Sequence, residues 1–434
     1  MIFSKKLGSV AGATALSLFA AAPAWAQDAP PAVNSGDTAW MMTSTVLVLA
    51  MILPGLALFY GGLTRAKNML STMTQIGAAA SLAMLVWVMW GYTMAFGEGG
   101  NAFIGGFGKL FMAGVTADSI SGTLPEFVFA CFQMTFAAIT VALVLGGTVE
   151  RLKFSAVMVF TLVWLTLVYF PIAHMVWASG GLFFDMGALD YAGGTVVHIN
   201  AGVSALVAAL ILGKRKGFPT EAMPPHSMTL TFVGTGLLWV GWFGFNAGSA
   251  LSAGGGASLA MINTFVATAS AGLFWMLAER ALGHKGSALG FCSGIVAGLV
   301  AVTPAAGNVG VFGAVVLGAI ASIICVFAVT KLKPALGYDD SLDAFGIHGV
   351  GGIVGAIGTG ILHDPSLGGP GDGSVAMGAQ TIIQIEAVLF TIVLSTIGTA
   401  IAIFIAKAIT GLRVSEEVEY EGLDLGEHGE RAYN

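Results

Sequence analysis

Long apolar runs are the feature that most constrains how this chain of 434 residues can fold. Most of the eleven runs are long enough, at about 20 residues, for an α-helix to cross the hydrocarbon core of a bilayer. Only 9% of the residues are charged, whereas a soluble domain carries about 25%, so the chain lacks the polar surface to face water. The sequence predicts an all-α integral membrane protein with eleven spans, at 39–62, 70–96, 124–149, 154–177, 193–213, 227–250, 257–281, 286–303, 308–330, 345–362 and 377–410.

Lysine and arginine residues orient these spans. Of the 17 in the chain, Lys5 and Lys6 precede the first run, and only Lys109 falls on the side where that run begins. All the others fall on the opposite side: Arg65, Lys67, Arg151, Lys153, Lys214, Arg215, Lys216, Arg280, Lys285, Lys331, Lys333, Lys407, Arg413 and Arg431. Because cytoplasmic loops carry an excess of Lys and Arg, the sequence predicts an outside N-terminus and an inside C-terminus.

The first 26 residues are typical of a cleavable signal peptide. Lys5 and Lys6 precede a short apolar stretch, and 24–26 reads Ala-Trp-Ala, a small-x-small cleavage site. A bacterial signal of this kind predicts an inner (plasma) membrane protein with residues 27–38 as an extracytoplasmic, periplasmic segment. The alternative is a first helix that is not cleaved.

Eleven spans can be divided into two inverted repeats of five and one additional C-terminal helix. The predicted parts are a first repeat at 39–213, a cytoplasmic linker at 214–226, a second repeat at 227–364, an eleventh helix at 377–410 and a cytoplasmic tail at 411–434. His198 in GGTVVHINAGV and His348 in FGIHGVGGIVG each lie a few residues into a glycine-rich span. Since the two spans start on opposite sides, both rings are expected near the membrane midplane, where they could meet.

An ionisable side chain inside a membrane is costly and indicates function by default. Two histidines at equivalent depth favour function over the alternative, a neutral imidazole that only bonds a neighbouring helix. Imidazole can gain and lose a proton near neutral pH. No third ligand lies in the same spans, so we expect no metal. Cys131, Cys292 and Cys325 each lie within an apolar run and predict small core side chains rather than disulfides.

Aromatic and hydroxyl residues form a second group near the outer face. Its members are Phe132, Phe136, Trp177, Trp242, Phe245 and Ser249. Aromatic faces attract small cations, and a serine oxygen can accept a hydrogen bond from one; the alternative is an interfacial aromatic belt. Asp190 and Asp343, which precede the two histidine spans, are predicted helix N-caps.

Together these stretches resemble the ammonium transporter family. DYAGGTVVHINAGVSALVAAL matches the family's signature segment, and FYGGLTRAKN, ERLKFSA, PIAHMVW, GWFGFNAGSA, GLVAVTP, DAFGIHGVGGIVG and GLRVSEEVEYEGLD follow the family order and spacing. The resemblance extends from about residue 39 to the end of the chain. It is closer to bacterial ammonium channels than to Rhesus-type relatives.

The resemblance implies roles for the candidate residues. Phe132, Phe136, Trp177 and Ser249 resemble the outer site that recruits ammonium, and Phe136 and Phe245 resemble the stacked rings that close the pore beneath it. His198 and His348 resemble the twin histidines of an apolar lumen. Asp190 resembles the aspartate that stabilises the recruitment site and supports deprotonation. Trp242 and Thr303 match pore-associated positions with less defined roles.

The resemblance also implies a homotrimer with one pore per subunit and a cytoplasmic PII-type signal protein as partner. Its substrate would be ammonium, with methylammonium as an analogue, and it would use no cofactor, perform no enzymatic reaction and bind no nucleic acid. Ammonium can lose a proton and cross a dry lumen as ammonia, whereas potassium has no neutral form. Whether the proton follows by another route stays open.

Other transmembrane functions fit less well. Trp177 argues against a Rhesus-like gas conduit, and a tail of about 24 residues argues against an ammonium sensor with an output domain. No lysine lies mid-span for a retinal, and no catalytic set points to an intramembrane enzyme. No paired NPA motif points to a water channel.

Overall fold

The computed structural model describes residues 32–433, and the predicted signal peptide at 1–26 lies outside this range. Ten helices in it are long and apolar enough to cross a membrane. With a shorter apolar helix, α8, they are α1 (Ser35–Leu63), α2 (Ala66–Phe96), α3 (Glu126–Gly147), α4 (Phe154–Asp185), α5 (Gly194–Leu212), α6 (Met228–Gly248), α7 (Gly255–Ala281), α8 (Ala288–Val302), α9 (Val311–Leu336), α10 (Phe345–Leu362) and α11 (Met377–Thr410). The predicted all-helical membrane fold is confirmed at this level.

Outside these helices the described chain forms only small elements. A short antiparallel hairpin, β1 (Ile120–Ser121) and β2 (Leu124–Pro125), precedes α3. The tail forms α12 (Glu416–Glu421) and α13 (Leu423–His428). A break at 178–181 interrupts α4 directly after Trp177. The fold is therefore helical wherever the chain is apolar.

Widened π-helical turns occur inside several of the long helices. In α5 such a turn spans Gly194–Ile199 and contains His198, and in α10 it spans Phe345–Gly349 and contains His348. A π-turn shifts the helical hydrogen-bond pattern by one residue and often marks a functional site. Both histidines therefore leave their helices from equivalent, irregular turns.

Glycines let α5 and α10 approach closely. A Cβ atom added to Gly202 of α5 would lie 2.1 Å from the backbone nitrogen of Gly349 in α10. A Cβ atom on Gly355 of α10 would lie 2.4 Å from the carbonyl oxygen of Ala301 in α8. In a membrane the hydrophobic effect does not drive helices together, and close backbone contacts of this kind stabilise their packing instead. It brings the two histidine turns within side-chain reach.

The cysteine prediction is only partly correct. All three cysteines are free, and Cys292 and Cys325 are buried as expected. Cys131 is exposed on the surface of α3, so its prediction as a core side chain is wrong. In a run that is apolar on every side, composition does not distinguish the face that packs inward from the face that meets lipid.

Candidate functional site

The structure brings His198 and His348 into direct contact. Their Nδ1 atoms lie 3.3 Å apart, and their ring centroids are 5.3 Å apart at an interplanar angle of 20°. Both side chains are buried, with 1% and 3% exposure. A hydrogen bond between two Nδ1 atoms needs one donor and one acceptor, so the two imidazoles must differ in protonation at that atom.

An aspartate eight residues before each histidine holds the start of its helix. The carboxylate of Asp190 accepts hydrogen bonds from the backbone N–H groups of 193–196, including 2.7 Å from Gly193 and 2.8 Å from Thr195, and from the Thr195 hydroxyl. This is the capping geometry expected of Asp190.

The corresponding prediction for Asp343 is wrong. Asp340, not Asp343, accepts the hydrogen bond from the backbone N–H of Phe345, at 2.8 Å. The Asp343 carboxylate instead accepts from Lys333 Nζ at 2.6 Å, and its backbone has φ 59°. That left-handed turn directs Asp343 away from the free donors of α10. The equivalence with Asp190 therefore belongs to Asp340.

Trp242 covers one face of His198. The indole and imidazole rings are stacked with centroids 5.4 Å apart and an interplanar angle of 16°. The indole Nε1 donates to Thr303 Oγ1 at 3.0 Å, and the Thr303 hydroxyl also lies 2.8 Å from the carbonyl oxygen of Leu299. This contact fixes the tilt of the indole, and the indole in turn limits the orientations open to His198.

Three phenylalanine rings and Trp177 form a continuous aromatic stack next to the histidines. Phe136 and Phe245 are parallel, with centroids 4.2 Å apart, and Phe245 lies 6.0 Å from His198. Phe132 and Trp177 meet Phe136 edge-on, at 4.9 and 5.6 Å. The three phenylalanines are buried, whereas Trp177 is half-buried. The stack therefore leads from a partly exposed ring to the buried histidine pair.

Asp190 and Ser249 complete the stack at the end where Trp177 lies. The Trp177 indole Nε1 donates to the backbone carbonyl of Asp190 at 2.9 Å. The Ser249 hydroxyl is half-buried and donates to the Phe245 carbonyl at 2.8 Å, one turn earlier in the chain. The serine oxygen keeps lone pairs with which it can accept a further hydrogen bond.

A narrow cavity lies against the histidine pair. Its volume is about 10 Å³, close to the least that holds one water molecule. Besides His198, His348, Trp242 and Phe245, its lining is apolar: Met51, Leu56, Phe59, Ile139, Leu143, Leu238 and Val296. His198 Nε2 is buried and has no hydrogen-bond partner among the described residues. The cavity thus offers imidazole nitrogen and almost no other polar group.

The arrangement favours a small species that can change its charge. Aromatic faces at the Trp177 end of the stack can hold a cation, but the apolar lining of the cavity makes a charged species costly. Within residues 32–433 no group of three potential metal ligands comes together.

The structure also contains polar contacts that sequence reasoning missed. His174, one turn before Trp177, has its Nδ1 2.9 Å from the Ala95 carbonyl and its Nε2 2.8 Å from the Asn101 carbonyl. The motif PIAHMVW was recognised, but only Trp177 in it was singled out. Gln384 of α11 carried no motif signal of its own, because its main partner, the backbone of Leu189, is far away in the chain. Asp340 lies only five residues before its partner Phe345, but Asp343 was chosen in its place.

Known proteins are similar to this chain over nearly its whole length. An ammonium transporter of Aquifex aeolicus is 49% identical over 403 residues, which cover 93% of this chain and 94% of the relative. The crystal structure of Saccharomyces cerevisiae Mep2 matches with a TM-score of 0.81 and 39% identity, covering 89% of this chain and 88% of that one. A structure described as a sensor Amt protein matches with a TM-score of 0.84 and 28% identity, covering 91% and 98%.

The family comparison agrees with these matches. The profile of the Ammonium Transporter Family matches residues 39–433, close to the extent predicted from the motifs. It also confirms that the protein is a transporter rather than an enzyme. With its fold, its aromatic stack and its histidine pair, the chain belongs to the ammonium transporter family.

Proposed function

We propose that this protein captures ammonium at an outer aromatic site, removes a proton and conducts ammonia through an apolar lumen lined by two histidines. Ammonium transport itself follows from the family, and the ten long apolar helices make the protein a multi-pass membrane protein. The observation that carries the finer proposal is the Phe136–Phe245 stack, which lies next to His198 and the apolar cavity beside it.

Capture takes place at Trp177, Phe132, Phe136 and Ser249. The ring faces attract a small cation through their quadrupole, and the Ser249 oxygen accepts a hydrogen bond from it. Trp177 is half-buried, so a hydrated cation can reach it. Phe136 and Phe245 form the gate: their rings, 4.2 Å apart, must separate before anything passes.

Proton loss provides the selectivity. Moving an ion into an apolar cavity costs many kcal/mol, and potassium cannot avoid this cost because it has no neutral form. Ammonium avoids it by leaving its proton at the outer site. Asp190 supports this step by fixing the start of α5 and by accepting the Trp177 hydrogen bond on its backbone carbonyl.

Passage follows the two imidazoles. Neutral ammonia is both a donor and an acceptor, so it can exchange hydrogen bonds with His198 and then with His348. The free Nε2 of His198 supports this role. Trp242, held by Thr303, keeps the His198 ring in place during passage. The proton either passes to water at the outer face or crosses to the cytoplasm along a route separate from that of ammonia.

The proposed topology has eleven spans with the N-terminus outside and the C-terminus inside, in a bacterial inner membrane. The short helix α8 supplies the eighth span. The inverted repeats at 39–213 and 227–364 are supported by two equivalent arrangements, in which an aspartate, Asp190 or Asp340, precedes a π-turn that contains the histidine, His198 or His348. A cleaved signal at 1–26 belongs to the same proposal.

The proposed assembly is a homotrimer whose cytoplasmic face binds a PII-type signal protein. Charged loops and the folded part of the tail, at 411–433, supply a polar surface for such a partner. Pull-down with the cognate PII protein, with and without nucleotide and 2-oxoglutarate, tests the partner.

Solid-supported-membrane electrophysiology on proteoliposomes tests the function. We expect responses to ammonium and methylammonium but none to potassium, and a parallel flux assay detects transport that moves no net charge. His198→Asp or His348→Asp should abolish the ammonium response or admit potassium, because a negatively charged carboxylate stabilises cations in the lumen. Trp177→Leu should change the half-saturating concentration or the maximal rate. Unaltered flux and selectivity in the histidine variants would refute the lumen mechanism.

A further inference from the structure

Gln384 of α11 is a buried polar residue that the proposed mechanism does not use. Its side chain is 2% exposed. Its Oε1 accepts from the backbone N–H of Leu189 at 2.7 Å, and its Nε2 donates to the Leu189 carbonyl at 2.8 Å. The amide group thus binds both polar backbone groups of one residue, as a neighbouring β-strand would.

The remaining hydrogen-bonding capacity of Gln384 is also used. The second hydrogen on Nε2 is donated to the Ala356 carbonyl in α10 at 3.1 Å. Its Oε1 also receives a longer contact of 3.4 Å from Gln380 Nε2, which donates to the Gly187 carbonyl at 3.0 Å. A glutamine amide has two donors and two acceptor sites, and here all four are engaged. Because every donor and acceptor of this buried amide is engaged, hydrogen bonds hold the side chain in one position, and packing alone does not explain its place.

The residue that Gln384 holds is adjacent to the outer site. Leu189 directly precedes Asp190, whose carbonyl accepts from Trp177 and whose carboxylate caps α5. Ala356 lies eight residues after His348 in α10. Gln384 therefore links three parts of the molecule: α11, the segment that carries Asp190, and the helix that carries His348.

We infer that Gln384 is a positioning residue. It holds the backbone of Leu189 and Asp190 (the Asp190 segment) in place, and thereby positions the Trp177 indole in the ammonium-capture site. The inference rests on the proposed function of that site. Without Gln384, the N–H and carbonyl of half-buried Leu189 would lose these partners, and the segment would shift to recover them. The Trp177 indole follows because its Nε1 is bonded to Asp190.

Glutamine is the side chain that these hydrogen bonds to Leu189 and Ala356 require. Methionine has a similar length and volume but can neither accept from nor donate to Leu189 in the same way. Glutamate keeps an acceptor for the Leu189 N–H but has no donor for the Leu189 and Ala356 carbonyls. Gln384→Met therefore removes all of these hydrogen bonds and Gln384→Glu removes part of them, with little change in side-chain volume.

The test compares Gln384→Met and Gln384→Glu with wild type in proteoliposomes that contain equal amounts of monodisperse protein. For both variants we expect the half-saturating ammonium concentration to rise, by about three- to tenfold. The maximal response should stay within about twofold. Weaker capture raises the half-saturating concentration, whereas a loss of folded protein lowers only the maximal response.

Ser395→Ala is the matched control. Ser395 also lies on α11 and donates a buried hydrogen bond, to Asn200 of α5 at 2.8 Å, but it does not touch the Asp190 segment. Its half-saturating concentration should equal that of wild type. If Gln384→Met yields no monodisperse protein, the half-saturating concentration of Gln384→Glu alone tests the positioning role.

An unchanged half-saturating concentration in the Gln384 variants, beside a normal wild-type response, overturns the positioning role. An equal rise in Ser395→Ala overturns it as well. A wild type that does not respond to ammonium overturns the proposed function instead, so the two failures can be told apart.

Discussion

At the scale of single residues, two aspartates in equivalent places have different surroundings. The Asp190 carboxylate is surrounded by backbone donors from α5. Asp340 accepts from Phe345 through Oδ2, but its buried Oδ1 has no hydrogen-bond partner among the described residues. Burial raises the pKa of Asp340 to about 6, although the charge of Lys333 opposes the shift. The charge of Asp340 therefore changes nearer to neutral pH than that of an ordinary aspartate.

This difference predicts a pH-dependent stability. The folded-state pKa of about 6 lies above the ordinary value of 3.8, so the folded protein holds the proton more tightly than the unfolded chain. The contribution of Asp340 to stability therefore falls as pH rises from about 4 to about 6, and is constant above that. Relative to wild type, Asp340→Asn should gain thermal stability over that interval. Melting temperatures in detergent between pH 4.5 and 7.5 measure it, and a difference independent of pH contradicts the prediction.

Sequence motifs located most of the residues around the histidine pair but not the contacts that hold them. His198, His348 and the aromatic residues were found because ionisable and aromatic groups are conspicuous in an apolar chain. The choice of Asp343 over Asp340 failed because DDSLD offers three acids, and only the backbone turn decides which one faces α10. Gln384 was missed because it bonds backbone atoms about 195 positions away.

At the scale of helices, the apolar runs predicted positions well. The observed α10 and α11 span Phe345–Leu362 and Met377–Thr410, as predicted for 345–362 and 377–410. The break after Trp177 and the hairpin before α3 were not foreseen. Neither were the π-turns around the histidines, since such turns depend on which neighbouring helix competes for the backbone and side chains. Hydropathy records only the length of the apolar stretch.

The crossing of α5 and α10 provides a prediction at this scale. In Gly202→Ala the new methyl group would fall 2.1 Å from the Gly349 nitrogen, so the two helices must separate. We expect a lower melting temperature and a loss of ammonium response of at least tenfold, because the His198–His348 contact depends on this crossing. The measurements are thermal unfolding in detergent and transport in proteoliposomes.

Gly236→Ala is the control for the crossing. Gly236 lies in α6, where an added Cβ atom meets nothing within 4 Å. That variant should behave as wild type or be slightly more stable, since alanine favours the helix. Equal behaviour of the two variants would mean that the crossing can widen without affecting the histidine pair.

At the scale of the whole molecule, charged loops at one end of the bundle form a single network. Buried Glu150 accepts from Arg65 and Arg215, and Arg215 also pairs with Asp339. Burial alone would raise the pKa of Glu150, but Arg215 and Arg65 outweigh it and hold that pKa below its ordinary value. The loops after α1, α3, α5 and α9 are thereby joined. The count of cations predicted that they share one side, but not that they would pair.

The tail extends this network through Glu419. Its carboxylate is almost fully buried and accepts from the Arg413 guanidinium at 2.7 Å and from the backbone N–H of Lys216 at 2.7 Å. The tail is also held by Asp424, which accepts from the backbone N–H of Ser71 at 2.7 Å. An acidic tail that would be expected to remain in water is thus folded against the loops.

Replacing Glu419 should release the tail. In Glu419→Gln, one carboxylate oxygen becomes an NH₂ group that faces the donors of Arg413 or Lys216, so part of the network becomes repulsive. We expect trypsin to cleave after Arg413 about tenfold faster than in wild type, because cleavage requires the tail to detach. Glu417→Gln in the same helix is the control, since Glu417 is exposed. Equal cleavage rates in the two variants would mean that other contacts hold the tail in place.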